Sequence, residues 1–210
     1  MQEKSLLFFL LTVAGISLSG VMMPGPVFAA TLARSTNSRF AGSFIAIGHG
    51  IVEFPLMVLI YFGLYHLFQT RSVKIALGII GGVVLIYLGK DIFNLKKAVK
   101  VNFKKNNPGS KATLTGALTS LFNPYFILWW ITVGTVLIMR STVFGVAGFV
   151  LFGIVHWLCD FLWYSFVSLG AHHSGKMWGE KVQIFLYGIS SLLLIFFGTW
   201  FVISSIKWMI

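Results

Sequence analysis

A single cysteine, Cys159, occurs in the 210 residues, which excludes an internal disulfide and any Cys-x-x-Cys pair, and with them thiol–disulfide electron transfer across a membrane. Charge is scarce: Asp, Glu, Lys and Arg make up 10% of the chain, with 5 acidic against 16 basic residues. A soluble domain carries about a quarter of its residues as charges, so these cannot clothe a water-facing surface. The surplus of +11 therefore marks helix ends at a membrane surface, and no nucleic-acid partner is expected. Proline is rare too, at 5 residues, so its positions carry information.

What fills the chain is apolar, at 57%, including 21 Phe and 7 Trp. A helix needs about 20 apolar residues to cross the hydrocarbon, and six such segments stand near 5–33, 42–66, 73–93, 113–138, 144–170 and 182–206. Lys4 followed by apolar residues and Ala29-Ala30 also has the outline of a signal peptide. The apolar run from Ser5 to Met23 is longer than the core of such a segment and is read as part of the first crossing. Between the third and fourth segments lies NLKKAVKVNFKKNNPGSK, a basic loop closed by Asn107-Pro108-Gly109. The expected organisation is a first three-helix repeat over 1–93, a cytoplasmic loop over 94–112 and a second three-helix repeat over 113–210. On alternate sides, Lys4, Arg71, Lys74, Arg140 and Lys207 face Arg34, Arg39, Lys90, Lys96, Lys97, Lys100, Lys104, Lys105, Lys111, Lys176 and Lys181. The richer side is cytoplasmic, which places both termini outside the prokaryotic cytoplasmic membrane.

The halves resemble one another. SGVMMPGPVF in the first segment aligns with TSLFNPYFIL in the fourth, Pro24 opposite Pro124, and HGIVEFP in the second aligns with HWLCDFL in the fifth. An odd number of crossings per half makes the halves face opposite ways, the inverted repeat of many secondary transporters. The expected fold is therefore all-α and polytopic, with helices 1 and 4 broken. Proline removes an amide proton and crowds the carbonyl four residues back, so Pro24, Pro26 and Pro124 are expected to free the carbonyls of Gly20, Met22 and Ser120. In lipid such groups persist only where protein, water or ligand answers them, so each break lines a cavity. The half-helix beginning after each break offers amides and a positive dipole end to a carboxylate. Pro24, Gly25, Pro26, Asn123, Pro124 and Tyr125 are the expected substrate-binding residues.

Glu53 and Asp160 are the two acids well inside the expected crossings, each four residues after a histidine, His49 and His156. That spacing places each pair on one helix face. A charge at mid-bilayer faces a cavity or a partner; burial favours the neutral acid and a neighbouring imidazole the charged one, which suits a group that loads and releases a proton. Three other readings stand beside proton coupling: a structural hydrogen bond between helices, a divalent-cation path through two imidazoles and two carboxylates, and haem ligation by His49 and His156, for which nothing else in the chain speaks. Pro55 is expected to disturb the helix beside Glu53, at the carbonyl of Ile51. Asn123, Thr132, Thr135, Ser165 and Ser168 could meet substrate or bond carbonyls one turn back. Trp129-Trp130 either wall the cavity or face lipid, and His172 and His173 fall in an expected solvated loop. Gly42, Ala46 and Gly50, and Gly78 with Gly82, permit close helix contact, within one chain or in a homodimer.

MMPGP in helix 1, GSFIAIGHGIVEFPLMVL in helix 2 and TGALTSLFNPYFILWW in helix 4 together resemble the lysine exporter (LysE/RhtB) family of amino-acid efflux proteins, along nearly the whole chain. The resemblance implies a six-helix inner-membrane carrier, dimeric, expelling amino acids or related metabolites in exchange for protons; it implies neither an enzyme nor a cofactor. MPGP stands where members of assigned substrate commonly show GPGP, and NPYFILWW differs from the NPKA often found there, so the resemblance carries the class and not the substrate.

Overall fold

The computed structural model describes residues 5–23, 25–63, 70–98, 108–178 and 180–207. Among them every regular element is helical. Helix α1 (Leu6–Val21) starts at Ser5, whose hydroxyl accepts the Phe8 amide at 3.2 Å, a side-chain cap for an orphan donor. It ends in a tight turn, and α2 (Pro26–Ser35) leaves at 74° to it. Pro26 stands at the first position of α2, where proline's missing amide proton is no loss. Helix α3 (Ala41–Tyr61) follows, then α4 (Arg71–Ala98), α5 (Pro108–Leu121) and the short α6 (Pro124–Trp129). A π-turn over Trp130–Gly134 joins α6 to α7 (Thr135–Ser141), and a 3₁₀ turn over Thr142–Phe144 leads into α8 (Gly145–Trp178) and α9 (Glu180–Lys207). Gly145 sits at φ 68°, a conformation that strains any residue with a Cβ, and it separates α7 from α8.

Among the described residues, four stretches are long and apolar enough to cross a membrane: Ala41–Tyr61, Arg71–Asn94, Tyr125–Ser174 and Gly188–Lys207. The bent pair α1–α2 makes a fifth. The protein is thus a multi-pass membrane protein. Large apolar side chains such as Leu7, Phe166, Leu192 and Val143 point outward, as a lipid solvent allows.

The expected break in the first crossing is present, and the fourth is interrupted between α5 and α6. Two of the freed carbonyls are a correction: Gly20 accepts the amide of Met23 at 3.2 Å and Ser120 that of Asn123 at 3.1 Å, so the helix before each break ends in the same three-residue step. The disturbance expected at Pro55 does not divide α3, which runs through it. Pro55 and Ile51 lie on the outward face. His172 is not in a loop: α8 extends past it, and its Nδ1–H donates to the Ser35 carbonyl at 2.8 Å, answering a carbonyl at the end of α2.

Small residues set the packing, and they do so within the chain. On α3, a Cβ at Gly42 would meet the Tyr164 backbone, one at Gly48 the Thr113 carbonyl, and one at Gly50 the Trp157 indole. Helix α3 is thereby clamped between α5 and α8. Helices α4 and α9 form a second tight pair, with Gly78 against Ser205 and Gly82 against Gly198. At Gly198 a Cβ would lie 2.6 Å from the Gly82 carbonyl oxygen and 2.9 Å from the Ile86 amide nitrogen. Overpacking costs about 1–3 kcal/mol, so Gly198→Val should lower the thermal unfolding midpoint of the detergent-solubilised protein by several degrees. An unchanged midpoint would show that this pair is not close-packed.

Candidate functional site

The clamp on α3 brings its inner face against that of α8, and with it the two histidine–acid pairs. His49, Glu53, His156 and Asp160 are all buried. Glu53 is the hub. Its Oε1 lies 3.0 Å from His49 Nε2 and 3.1 Å from His156 Nε2. Asp160 stands slightly back, Oδ1 3.8 Å from His49 Nε2 and Oδ2 3.7 Å from His156 Nε2. Glu53 Oε2 and Asp160 Oδ2 have no hydrogen-bond partner among the described residues. Buried carboxylate oxygens are rarely left so, because an unanswered polar atom costs about 1–3 kcal/mol.

The far nitrogen of each imidazole is held by a serine. His49 Nδ1 is 2.6 Å from Ser120 Oγ on α5, and His156 Nδ1 is 2.6 Å from Ser17 Oγ on α1. The Ser120 hydroxyl donates to the Gly116 carbonyl at 2.7 Å, so its one proton is spent and His49 Nδ1 must carry the hydrogen between them. A neutral His49 then has a bare Nε2 facing Glu53, and the 3.0 Å contact requires one proton in between, on the carboxyl or on the imidazole. The Ser17 hydroxyl is able to donate to His156 Nδ1 and leave Nε2–H for Glu53. The arrangement holds one transferable proton at the Glu53–His49 contact.

Ser120→Ala would leave the His49 Nδ1–H unanswered. We expect the thermal midpoint to fall by the equivalent of about 1–3 kcal/mol, with Ser120→Thr, which keeps the hydroxyl, recovering much of it. Equal loss in both variants would show that volume and not the hydrogen bond matters there.

The cluster opens onto a cavity of about 810 Å³. Gly20, Gly25, Pro26, Asn123 and Tyr125 from the two breaks line it, together with all four members of the cluster. Gly25 precedes α2 and brings no side chain to cap it, so the first turn of α2 presents its amides at the cavity. Asn123 does cap α6: its side-chain oxygen accepts the Tyr125 amide at 3.1 Å, and this end is already partly answered. Tyr125 is half exposed, and its hydroxyl accepts the Trp200 indole N–H at 2.9 Å. Pro124 begins α6, and Pro24 lies outside the described residues.

Other side chains had not been marked with certainty, or at all. Trp129 stacks on the His156 ring at 5.1 Å between centroids and Trp130, fully buried, meets it edge-on at 5.0 Å. The tryptophans are therefore cavity wall and core. Glycine at 134 makes room for Trp130, because a Cβ there would overlap that ring. Thr132 and Thr135 bond backbone carbonyls, Leu128 at 2.8 Å and Trp130 at 2.9 Å. Ser165 meets Ser43 at 2.8 Å, and Ser168 donates to the Arg39 carbonyl at 3.0 Å, so both tie α8 to the start of α3. Ser17 and Ser120 carried no signal of their own. A hydroxyl one helix away from a histidine has no fixed spacing in sequence.

His49, Glu53 and Asp160 also offer ligand atoms within 4.8 Å of one another, a set that suits several divalent ions. The sequence model described as LysE type translocator matches residues 18–205. No curated protein and no solved structure matches the chain.

Proposed function

The chain belongs to the LysE type translocator family, and from that premise we propose that it exports amino acids or related small metabolites across the cytoplasmic membrane in exchange for protons. The observation that carries this reading is the shared Glu53 oxygen, bridged by two histidines and facing a cavity at two helix breaks. When the proton between Glu53 and His49 is released, the two carboxylates attract an ammonium group. When it returns, the ammonium is repelled. Substrate and proton thus compete for the same acids, and this competition couples their movements. The substrate carboxylate is seated at the first turn of α2, around Gly25 and Pro26, with Asn123 and Tyr125 lining the same cavity and Pro124 opening α6 between them.

Six crossings in two inverted halves form the frame of this reading. The stretch Tyr125–Ser174 holds 50 residues, about 75 Å of helix and more than twice the hydrocarbon thickness, and Gly145 interrupts it. Counted as two crossings, the helices pair symmetrically. The first crossing packs on the fifth and the fourth on the second, while the second meets the fifth and the third meets the sixth. Exchanging the halves leaves this pattern unchanged. The serines follow it, Ser17 of the first crossing to the fifth and Ser120 of the fourth to the second. Both termini lie outside and the basic 94–112 segment inside, as the lysine and arginine distribution requires. An inside-negative potential of 100 mV is worth about 2.3 kcal/mol per charge moved, so the substrate's charge sets how far the field assists export.

A divalent cation is the second reading, favoured by the ligand atoms of His49, Glu53 and Asp160 within 4.8 Å. Proteoliposome counterflow against a panel of amino acids and divalent ions, with an imposed pH gradient, separates the two. We expect amino-acid efflux to accelerate when the receiving compartment is made acidic and to slow when the gradient is collapsed. Movement of a divalent ion alone, lost on His49→Gln or His156→Gln, would replace the amino-acid reading.

A further inference from the structure

The cavity carries information about the substrate that the family does not. We propose that it takes amino acids with a bulky apolar side chain, aromatic or long aliphatic, in preference to basic and small polar ones; this rests on the exporter reading above.

Three observations lead there. The first is charge. The ionisable groups lining the cavity with a charge to offer are Glu53, Asp160 and the two histidines; no lysine or arginine is among the described lining residues. Both acids converge on the same pair of imidazole nitrogens, within 4 Å, so they make one cation subsite and not two. A substrate with a second ammonium several carbons away has no second acid to meet: the other described acids, Asp91 and Glu180, do not line the cavity.

The second is the wall. Beyond the cluster, the lining is rich in apolar side chains, among them Phe126, Leu128, Trp129, Phe196, Phe197 and Trp200, and the polar Asn123, Tyr125 and Thr132 that share it are already hydrogen-bonded within the protein. Phe126 stands edge-on to His49 at 5.0 Å and Trp129 lies flat on His156, so aromatic surface begins where the cation subsite ends. Aromatic faces and edges accept aromatic and aliphatic groups with defined geometry, and ammonium groups lie favourably over them.

The third is volume. About 810 Å³ is in the range of cavities that enclose drug-sized ligands. A serine or threonine would leave most of it filled with water against apolar walls. A side chain of the size of phenylalanine, leucine or tryptophan removes that surface from water, and each methylene-sized step in an apolar pocket is worth about a tenfold or greater preference.

The test is competition in counterflow with the full chain in proteoliposomes, using labelled leucine and phenylalanine and an unlabelled panel of Phe, Trp, Leu, Met, Ser, Thr, Lys and Arg. Apolar members should compete at concentrations at least about tenfold lower than the polar and basic ones. Phe196 is 55% exposed and tolerates replacement, so Phe196→Ser should narrow that gap without loss of folded protein; Phe126→Val provides a second variant on the opposite wall. Quenching of tryptophan fluorescence on titration with phenylalanine, absent with lysine, gives a reading independent of transport. Lysine or threonine competing best would overturn the substrate class while leaving the exporter intact. No exchange of any amino acid would overturn both.

Discussion

Replacing Glu53 with glutamine is expected to lower the initial rate of proton-driven export by about 100-fold or more. A single oxygen of Glu53 meets both histidines, at 3.0 and 3.1 Å, in a residue with no exposed surface. Removing one partner of a buried, hydrogen-bonded charge pair costs a binding site about 2–5 kcal/mol, roughly one and a half to three and a half powers of ten in affinity. Glutamine keeps the size and one carbonyl oxygen but cannot carry the transferred proton, so folded protein should be recovered while coupling is lost. The measurement is substrate efflux from proteoliposomes under an imposed pH gradient, beside a size-exclusion profile as folding control. Asp160→Asn should act in the same direction and more weakly, because Asp160 stands 3.7–3.8 Å from the imidazoles. A Glu53→Gln protein that exports at the parental rate with the same response to pH would remove proton coupling from this site.

The second large effect is expected at Gly48, which contributes no chemistry. A Cβ there would overlap the Thr113 carbonyl and lie 2.9 Å from the Ala117 amide nitrogen, and reciprocally Gly116 meets the backbone of Ile45. Backbone faces backbone on both sides, so neither helix has a side chain that can swing away. Gly48→Leu should abolish recovery of monodisperse protein in detergent, because separating α3 from α5 also withdraws Ser120 from His49. Gly15, on the exposed side of α1, has nothing within 4 Å of an added Cβ. Gly15→Leu should express as the parent does, since leucine is the better helix former. Equal recovery of both variants would contradict the close contact of α3 and α5.

Much of this was legible in the order of residues. Long apolar runs announce helices that lipid can solvate, and proline with glycine inside such a run announces a break. His-x-x-x-Glu and His-x-x-x-Asp place polar groups on one face of a helix, because the spacing matches the helical period. The meeting of the two pairs at one oxygen was not legible, since it depends on the depth at which α3 and α8 cross. The same limit hid Ser17 and Ser120. Backbone closure at Gly20 and Ser120 was missed for another reason: the proline rule counts the bond that is lost and is silent on a three-residue turn that replaces it. Pro55 sits inside an undivided α3, because the one bond it removes, to the Ile51 carbonyl, does not by itself end a helix whose other turns are kept. His172 was placed in a loop because polar residues after an apolar run look like a crossing's end, although a helix continues into water without penalty.

The matching turns after α1 and α5, Met23 to Gly20 and Asn123 to Ser120, bear on how such a molecule moves. The first bond finishes α1 at Met23, before α2 begins at Pro26, whereas the second reaches Asn123, the residue that caps α6. Turning α2 against α1 therefore breaks neither bond, while turning α6 against α5 strains one, so the two elbows differ in stiffness although their sequences match.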